Sequence, residues 1–342
     1  MKYFSMFSGI GGFELGIYRA NVSLAKRLQQ NNLDTDSNMS NSIEQRLATQ
    51  PLCVGFSEVD KYAIQIYTKQ FKGHKNYGDC TKIKWEDVED FELLVGGFPC
   101  QAFSIAGKRG GFSDTRGTLF FEIDRCLKEK QPRLFLLENV KGLLSHDKGQ
   151  TGITILSTLD ELGYDVQWQV LNSKNFGVPQ NRERVFFVGH LRGTSRPEVF
   201  PIGEINTEVN SKIKIVGYVN KEHETNAYYK TDGIIPTLRA GVGGQTHGQA
   251  IEIICPTLIT ELAHSTGRDF FRTMGKKIFE ASNQIRRLTP IECERLQGFP
   301  DDWTEKGVDG NGSEIKISDT QRYKCLGNAV TVNAIEEIIK KL

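Results

Sequence analysis

Short apolar runs alternate with amphipathic segments through the first half of the chain, and this alternation constrains the fold more than any other feature. β-Strands are predicted by the apolar runs at residues 2–7, 52–56, 93–95, 134–137, 166–171 and 185–189. Helical patterns lie between them, at residues 13–20, 119–129 and 153–162. The pattern is typical of a mostly parallel sheet with helices on both faces, in which ligands bind beyond the carboxyl ends of the strands.

Two regions break this alternation. Residues 21–51 are rich in Asn, Gln and Ser, and we interpret most of them as a mobile insertion. From about residue 192 to about residue 283 the pattern dissolves into short strand-like runs, glycines and threonines. We therefore expect a large α/β domain at 1–190 with the insertion at 21–51, a smaller domain and hinge at 191–316, and a C-terminal segment at 317–342 that returns to the large domain.

The composition excludes several classes of protein. The net charge of +1 over 342 residues does not by itself indicate a nucleic-acid partner, so any positive surface must be concentrated on one face. Seven cysteines without a Cys-x-x-Cys pair fit neither a disulfide framework nor a zinc site. We expect reduced thiols, a cytoplasmic location and no metal. No signal peptide or membrane-spanning apolar run is present, so we expect no membrane partner.

The first predicted strand leads directly into a glycine-rich turn at residues 7–12. Glycines here let the backbone approach a ligand closely, which leaves a nucleotide loop, a methyl-donor loop and a plain tight turn as alternatives. Glu58, after the second strand, is placed to take ribose hydroxyls, and Asp79 to receive an amino group from a cofactor. For both carboxylates a purely structural role remains the alternative.

Three further segments carry candidate catalytic groups. Cys100 follows a buried strand, two glycines and a proline, which is a nucleophile's position, although a lone cysteine is often a small core residue. Glu138 emerges from an apolar strand, where desolvation favours an acid that works near neutral pH; capping or an ion pair is the alternative. Arg182 and Arg184 project to one face of a strand and could clamp a base oxygen, a phosphate or Glu138.

The order of these segments resembles the DNA cytosine-5 methyltransferases of bacterial and phage type. Phe-x-Gly-x-Gly-Gly, Pro-Cys-Gln, Glu-Asn-Val, Gln-x-Arg-x-Arg and a late Gly-Asn-Ala-Val follow one another as in that family. The resemblance covers residues 4–189 and 286–333. It implies an α/β, Rossmann-like S-adenosylmethionine-dependent methyltransferase fold, with a mixed, mostly parallel seven-stranded sheet covered by helices on both faces. It also implies a smaller, irregular β-rich target-recognition domain.

The resemblance assigns catalytic roles residue by residue. The Cys100 thiolate is expected to add to C6 of a cytosine, and Glu138 to engage N3 of the base. Arg184 resembles the arginine that contacts the base oxygen and holds the glutamate, and Arg182 resembles its partner near the cysteine loop. Asn139 is expected to orient these arginines.

The resemblance also implies a pocket for S-adenosylmethionine. Some family members carry an aromatic residue where Val59 stands, so we expect weaker stacking on the adenine. The insertion lengthens the connection to Glu58. The expected pocket residues are Phe7, Gly9, Ile10, Gly11, Gly12, Glu58, Val59, Asp79, Cys80, Pro99, Leu119, Asn328 and Val330.

The expected substrate is double-stranded DNA, with the target cytosine rotated out of the helix. The glycine-rich loop at residues 101–116 resembles the family's closing loop, and the 191–316 region is expected to read the sequence. We also expect a cytoplasmic monomer, encoded by a prokaryote or a phage, for which a cognate restriction endonuclease is a candidate functional, not physical, partner. Expected DNA contacts are Gln101, Ser104, Lys108, Arg109, Arg239, Gly243, Gln245, Thr257 and Arg272.

Three other readings compete with this one. A nicotinamide- or flavin-dependent oxidoreductase would explain the glycine turn and Glu58, but it gives no role to Cys100, Glu138 and the arginines together. An RNA cytosine-5 methyltransferase would use the same machinery on transfer RNA. A DNA-binding relative without catalysis would show a damaged motif, and none is found.

Overall fold

A computed structural model of the chain describes residues 1–31, 51–99, 119–203 and 288–342, together with five short strands between residues 204 and 287. The expectations for Cys100, for the 101–116 loop and for most of the proposed recognition region lie outside these described residues.

A mixed sheet forms the centre of the molecule. Its strands are β1 (Lys2–Met6), β2 (Leu52–Ser57), β3 (Leu93–Gly97), β4 (Leu134–Val140), β5 (Tyr164–Asn172) and β7 (Glu183–Leu191), in the order β2-β1-β3-β4-β7-β5. The first four strands in that order are parallel, and β7 runs antiparallel to both β4 and β5. The short strand β6 (Gln180–Asn181) lies outside this sheet and pairs with β10 (Ile235–Pro236).

Helices cover both faces of the sheet because each carries an apolar stripe. They are α1 (Gly12–Asn31), α2 (Lys61–Gln70), α3 (Leu119–Lys130), α4 (Gln150–Glu161), α5 (Pro290–Leu296), α6 (Asp319–Asn328) and α7 (Val332–Ile339). Single 3-10 turns occur at Cys80–Lys82, Trp85–Asp87, Lys141–Leu144, His146–Gly149 and Ser173–Phe176.

Two hydrophobic clusters lie on opposite sides of the sheet. On one side, Phe120 of α3 and Ile155 of α4 pack against strand residues such as Phe135. On the other side, Ile17 of α1 and Ile335 of α7 pack together on the strands. A side chain at Gly16 would overlap Ile335, so the glycine permits the close approach of α1 and α7. Burial of these apolar surfaces is the main source of stability.

A third cluster joins the end of the chain to the first helix. Residues from 288 onward, including Leu296 and Trp303, pack with Ile10 and Leu15 of the N-terminal segment and with Ile66 of α2. The remaining strands form two small sheets. One contains β8 (Ile215–Tyr218), β9 (Ala227–Lys230), β11 (Ala250–Ile253) and β12 (Gln284–Arg287), and the other contains β13 (Lys306–Val308) and β14 (Glu314–Lys316).

All six predicted strands of the main sheet are confirmed, as is the alternation with helices. Two expectations need correction. In the described part of the chain the sheet has six strands rather than seven, because the segment between β5 and β7 forms a 3-10 turn and the two-residue β6. The insertion also begins later than expected, because α1 continues to Asn31. Within the added part of this helix, the Ser23 hydroxyl donates a 3.0 Å hydrogen bond to Glu336.

Candidate active site and cofactor pocket

The carboxyl ends of four parallel strands meet at one edge of the main sheet. There β1 leads into residues 7–12, which we call the glycine turn, β2 leads into Glu58, β3 leads into Pro99, and Glu138 lies near the end of β4. Because β7 runs antiparallel to β4, its first residues lie at the same edge, and Arg184 pairs with Val140. This edge is where ligands bind in open α/β sheets.

The glycine turn has a backbone that few other residues could adopt. Gly9 and Gly11 have φ angles of +56° and +86°, in the left-handed region. A side chain at Gly11 would overlap the ring of Phe71, and one at Gly12 would overlap Val330. A β-carbon on Gly9 would meet no atom of the described residues within 4 Å, so this part of the chain covers the turn at Gly11 and Gly12 and leaves it open at Gly9.

Glu58 is fixed beside this turn by backbone hydrogen bonds. Its Oε2 accepts a 2.9 Å bond from Gly9 N–H, and its Oε1 accepts 2.8 Å bonds from the N–H groups of Val59 and Asp60. Asp60 in turn accepts a 2.6 Å bond from Lys324 of α6. The carboxylate therefore has a set orientation at the end of β2, as a residue that binds hydroxyl groups requires.

The neighbouring residues Val59, Asp79 and Cys80 differ in exposure. The Val59 side chain is 69% exposed. The Asp79 carboxylate caps the 3-10 turn at Cys80–Lys82, where hydrogen bonds from the hydroxyl and then the N–H of Thr81 lower its pKa. Cys80 lies in the core, where burial raises the pKa of its thiol to about 12.

The C-terminal segment supplies another side of the pocket. Val330, between α6 and α7, is buried against Gly12. Asn328, the last residue of α6, is exposed, and Leu119, the first residue of α3, is partly exposed. The structure thus brings Val330 to the expected glycine turn.

Glu138 and Arg184 form an ion pair at the sheet edge. Arg184 Nε lies 3.0 Å from Glu138 Oε1, and both side chains are largely buried. Burial lowers the pKa of the Arg184 guanidinium, and the charge of Glu138 opposes that shift. A contact with Glu138 was one of the three partners expected for the two arginines, and the structure shows it for Arg184.

Among the described residues, Arg182 contacts the segment between the last two helices. Its guanidinium is buried and donates a 2.8 Å hydrogen bond to the carbonyl of Ala329, with a longer 3.5 Å contact to that of Gly327. Burial, followed by the positive charge of Arg184, lowers its pKa to about 9. Arg182 thus joins the start of β7 to the segment that carries Asn328 and Val330.

The expectation that Asn139 orients the arginines is wrong. Its Nδ2 donates a 2.9 Å bond to the carbonyl of Phe98, and its Oδ1 accepts a 2.8 Å bond from Val140 N–H. The Phe98 carbonyl lies just before Pro99 and Cys100 in the sequence. Asn139 therefore fixes the backbone that leads to the proposed nucleophile, because its amide reaches the neighbouring strand's end and not β7.

Some of the expected site residues lie outside the described residues. The catalytic candidate Cys100 is one of them. The others are the expected DNA contacts Gln101, Ser104, Lys108, Arg109, Arg239, Gly243, Gln245, Thr257 and Arg272.

Two features of the site had not been expected. Trp303 donates a 3.0 Å hydrogen bond to the carbonyl of Ile10 in the glycine turn. Thr331 Oγ1 lies 2.8 Å from both Ser173 Oγ and Gln297 Oε1, and all three side chains are buried. The Ser173 hydroxyl also donates a hydrogen bond to the carbonyl of Arg182. No local sequence pattern predicts either contact, because the partners are far apart in the chain.

No group of three or more His, Cys, Asp or Glu side chains in the described part of the chain is arranged to hold a metal ion. None of the described helices is long and apolar enough to cross a membrane.

Comparison with known proteins gives a consistent result over the whole length. The family profile described as "C-5 cytosine-specific DNA methylase" matches residues 1–342. The Type II methyltransferase M1.ScrFI of Lactococcus lactis subsp. cremoris is 40% identical over 84% of this chain and 70% of its own length. The Type II methyltransferase M.HpaII of Haemophilus parainfluenzae is 40% identical over 87% of this chain and 85% of its own length.

Solved structures show the same fold. The S. pombe Dnmt2 methyltransferase superposes with a TM-score of 0.64 at 19% identity, covering 99% of this chain and 97% of the other. The expected Rossmann-like, S-adenosylmethionine-dependent methyltransferase fold is thereby confirmed. The chain belongs to the C-5 cytosine-specific DNA methylase family and is an S-adenosylmethionine-dependent DNA cytosine-5 methyltransferase.

Proposed function

We propose that the enzyme methylates one cytosine within a specific double-stranded DNA sequence, through a covalent bond between Cys100 and C6 of the base. The observation that carries this proposal is the Glu138–Arg184 ion pair at the sheet edge. In the β3–β4 ladder Glu138 pairs with Gly97, shortly before Cys100 in the chain. A nucleophile, a carboxyl group and a guanidinium group thus derive from three strand ends at one edge.

The chemistry requires these groups because C5 of cytosine is a poor nucleophile. The Cys100 thiolate adds to C6, and the resulting negative charge spreads to C5, N3 and O2 of the base. S-adenosylmethionine supplies the methyl group, which is transferred to C5. The proton on C5 is then lost, the bond between sulfur and C6 breaks, and the C5–C6 double bond is restored.

Glu138 and Arg184 stabilise the charge that develops on the base. Glu138 engages N3, and Arg184 donates a hydrogen bond to O2 while it keeps the carboxyl group oriented. Both side chains are withdrawn from water, which strengthens such interactions. General acid–base catalysis of this kind contributes about 10²–10⁴-fold to a rate.

The residues around the glycine turn fit S-adenosylmethionine. Gly9 leaves open space beside the Glu58 carboxylate, which can accept hydrogen bonds from ribose hydroxyls. Next to Gly9, Ser8 Oγ is buried and has no hydrogen-bond partner among the described residues. We propose that the pocket is lined by Phe7, Gly9, Ile10, Gly11, Gly12, Glu58, Val59, Asp79, Cys80, Pro99, Leu119, Asn328 and Val330.

We propose that the three parts of the chain divide the work. Residues 1–190 bind the cofactor and carry the catalytic groups, residues 191–316 contain the recognition domain and hinge, and residues 317–342 complete the cofactor pocket. Rotating the target cytosine out of the duplex costs roughly a few kcal/mol, which contacts to the DNA must offset. We further propose a monomer whose methylation protects DNA from a cognate restriction endonuclease.

Bisulfite sequencing of DNA from cells that express the chain tests this function. We expect protected cytosines in one short sequence, and none in cells that express a Cys100→Ser variant at the same level. Complete conversion in both samples, with soluble protein present, would contradict DNA as the substrate. The same measurement on RNA would then decide whether RNA is methylated instead.

A further inference from the structure

The indole of Trp303 is hydrogen-bonded to the glycine turn. Its Nε1–H donates to the carbonyl of Ile10 at 3.0 Å, in a region where both residues are largely buried. Ile10 lies directly between Gly9 and Gly11, whose φ angles are both positive, as is that of Phe7 at the start of the turn. The indole thus contacts the turn between two residues in the left-handed region.

Trp303 is itself held from several sides. Its carbonyl accepts a 2.7 Å hydrogen bond from Gln70 at the end of α2, and its ring packs edge-on against Phe71. Phe299 also packs against this ring, with 5.4 Å between ring centroids. The indole N–H therefore has little freedom to leave the Ile10 carbonyl.

Phe71 and Phe299, which pack against Trp303, also pack against the glycine turn. The ring of Phe71 occupies the space that a side chain at Gly11 would need, and Phe299 lies near Gly12. At Gly9, beside Glu58, a β-carbon would meet no atom of the described residues within 4 Å. A buried carbonyl that loses its donor is costly, so without the indole N–H the turn would shift to find another partner.

We infer that Trp303 is a positioning residue that holds the glycine turn in the conformation that binds S-adenosylmethionine. The inference rests on the proposed cofactor pocket. Trp303 acts through the Ile10 carbonyl and needs no contact with the cofactor. Its removal should therefore lower cofactor affinity and leave the chemistry at Glu138 and Arg184 unchanged.

A Trp303→Phe variant tests this inference, because it keeps an aromatic ring but loses the N–H donor. Isothermal titration of the full chain with S-adenosylhomocysteine should give a Kd raised about tenfold, equivalent to about 1.4 kcal/mol. The KM for S-adenosylmethionine should rise in parallel, with kcat within about twofold of the parent. The matched control is Trp168→Phe, at an exposed tryptophan on β5, and it should leave Kd unchanged.

Two results would overturn the inference. One is a Kd for Trp303→Phe within twofold of the parent, and the other is a fall in kcat with no change in Kd. A Glu58→Gln variant separates this failure from a misplaced pocket. If Glu58→Gln weakens binding and Trp303→Phe does not, only the role of Trp303 is wrong. If neither weakens binding, the proposed pocket is wrong as well.

A second measurement follows Trp303 itself in the protein that keeps this residue. The chain has three tryptophans, so protein labelled with 5-fluorotryptophan should give three ¹⁹F resonances, assigned with Trp168→Phe and Trp85→Phe. S-adenosylhomocysteine should shift the Trp303 resonance and leave that of Trp168 in place. An unmoved Trp303 resonance at saturation would overturn the inference.

Discussion

The carboxylate of Glu138 lies against the backbone of Gly97 on the neighbouring strand. A β-carbon at Gly97 would stand 3.1 Å from Oε2 of Glu138, closer than an ordinary van der Waals contact. The two residues are paired in the β3–β4 ladder, and the other carboxylate oxygen of Glu138 lies 3.0 Å from Nε of Arg184. The carboxyl group is therefore held between a glycine and an arginine.

A Gly97→Ala substitution should displace the carboxyl group without unfolding the protein. We expect kcat for methyl transfer to fall about tenfold, since a misplacement of about 1 Å can cost 10²-fold and this one is smaller. Steady-state kinetics on the identified DNA sequence measures the change. The control is Gly142→Ala, where a β-carbon would meet nothing within 4 Å. An unchanged kcat in Gly97→Ala would show that Glu138 tolerates the displacement.

Loss of the Arg184 guanidinium should impair the chemical step. An Arg184→Met variant leaves Glu138 without its ion-pair partner and the base without a hydrogen-bond donor. We expect kcat to fall about 10²–10³-fold, as on removal of a donor that stabilises developing charge. The Kd for S-adenosylhomocysteine should be unchanged. Arg295→Met is the control, because Arg295 forms an exposed pair with Asp301; a similar loss of kcat there would contradict the assignment.

Arg182 should contribute to stability more than to the chemical step. Replacing it with Met removes the donor to the Ala329 carbonyl, and the unpaired buried carbonyl should lower the free energy of unfolding by about 1–3 kcal/mol. Urea unfolding measures this loss. The affinity for S-adenosylhomocysteine should fall as well, because Ala329 lies between Asn328 and Val330. Full stability in Arg182→Met, with kcat alone reduced, would instead favour a direct role at the base.

Glu14 should make the stability of the protein depend on pH. Burial raises the pKa of this carboxyl from 4.5 to about 7, although a hydrogen bond from the Tyr67 hydroxyl opposes the shift. Since the folded state keeps the proton to higher pH than the unfolded state does, stability should fall as pH rises from about 4.5 to about 7. The full loss is as much as about 3 kcal/mol.

A Glu14→Gln variant tests this expectation, because the amide does not ionise. Urea unfolding of both proteins at pH 5 and pH 8 isolates the Glu14 contribution, since other titrating groups are common to the two. At each pH the free energy of unfolding of the variant is compared with that of the parent. The difference, variant minus parent, should be more positive at pH 8 than at pH 5. An equal difference at both pH values would mean that Glu14 titrates as an ordinary carboxyl.

The sequence predicts the main sheet well because its strands are buried, apolar and separated by clear helical patterns. It also places Glu58 and Glu138 at strand ends, where the sheet geometry then brings them to one edge. These predictions depend on local features only. They needed no knowledge of which distant segments pack together.

The contacts that were missed all depend on long-range packing. Trp303 and Ile10 are 293 residues apart in the chain, so no local pattern connects the indole to the turn. Arg182 reaches the carbonyl of Ala329 for the same reason. The continuation of α1 to Asn31 was missed because its polar residues resemble a loop, although the helix packs against α7.

The most direct test of the account uses a DNA duplex that carries 5-fluorocytosine at the target position found by bisulfite sequencing. Fluorine cannot leave C5 as a proton does, so the base should stay bonded to the enzyme after methyl transfer. We predict a species with the mass of the chain, the DNA strand and one methyl group, which Cys100→Ser does not form. Methylation of ordinary DNA by the parent enzyme without any such species, or an adduct in Cys100→Ser, would contradict the assignment of Cys100 as the nucleophile.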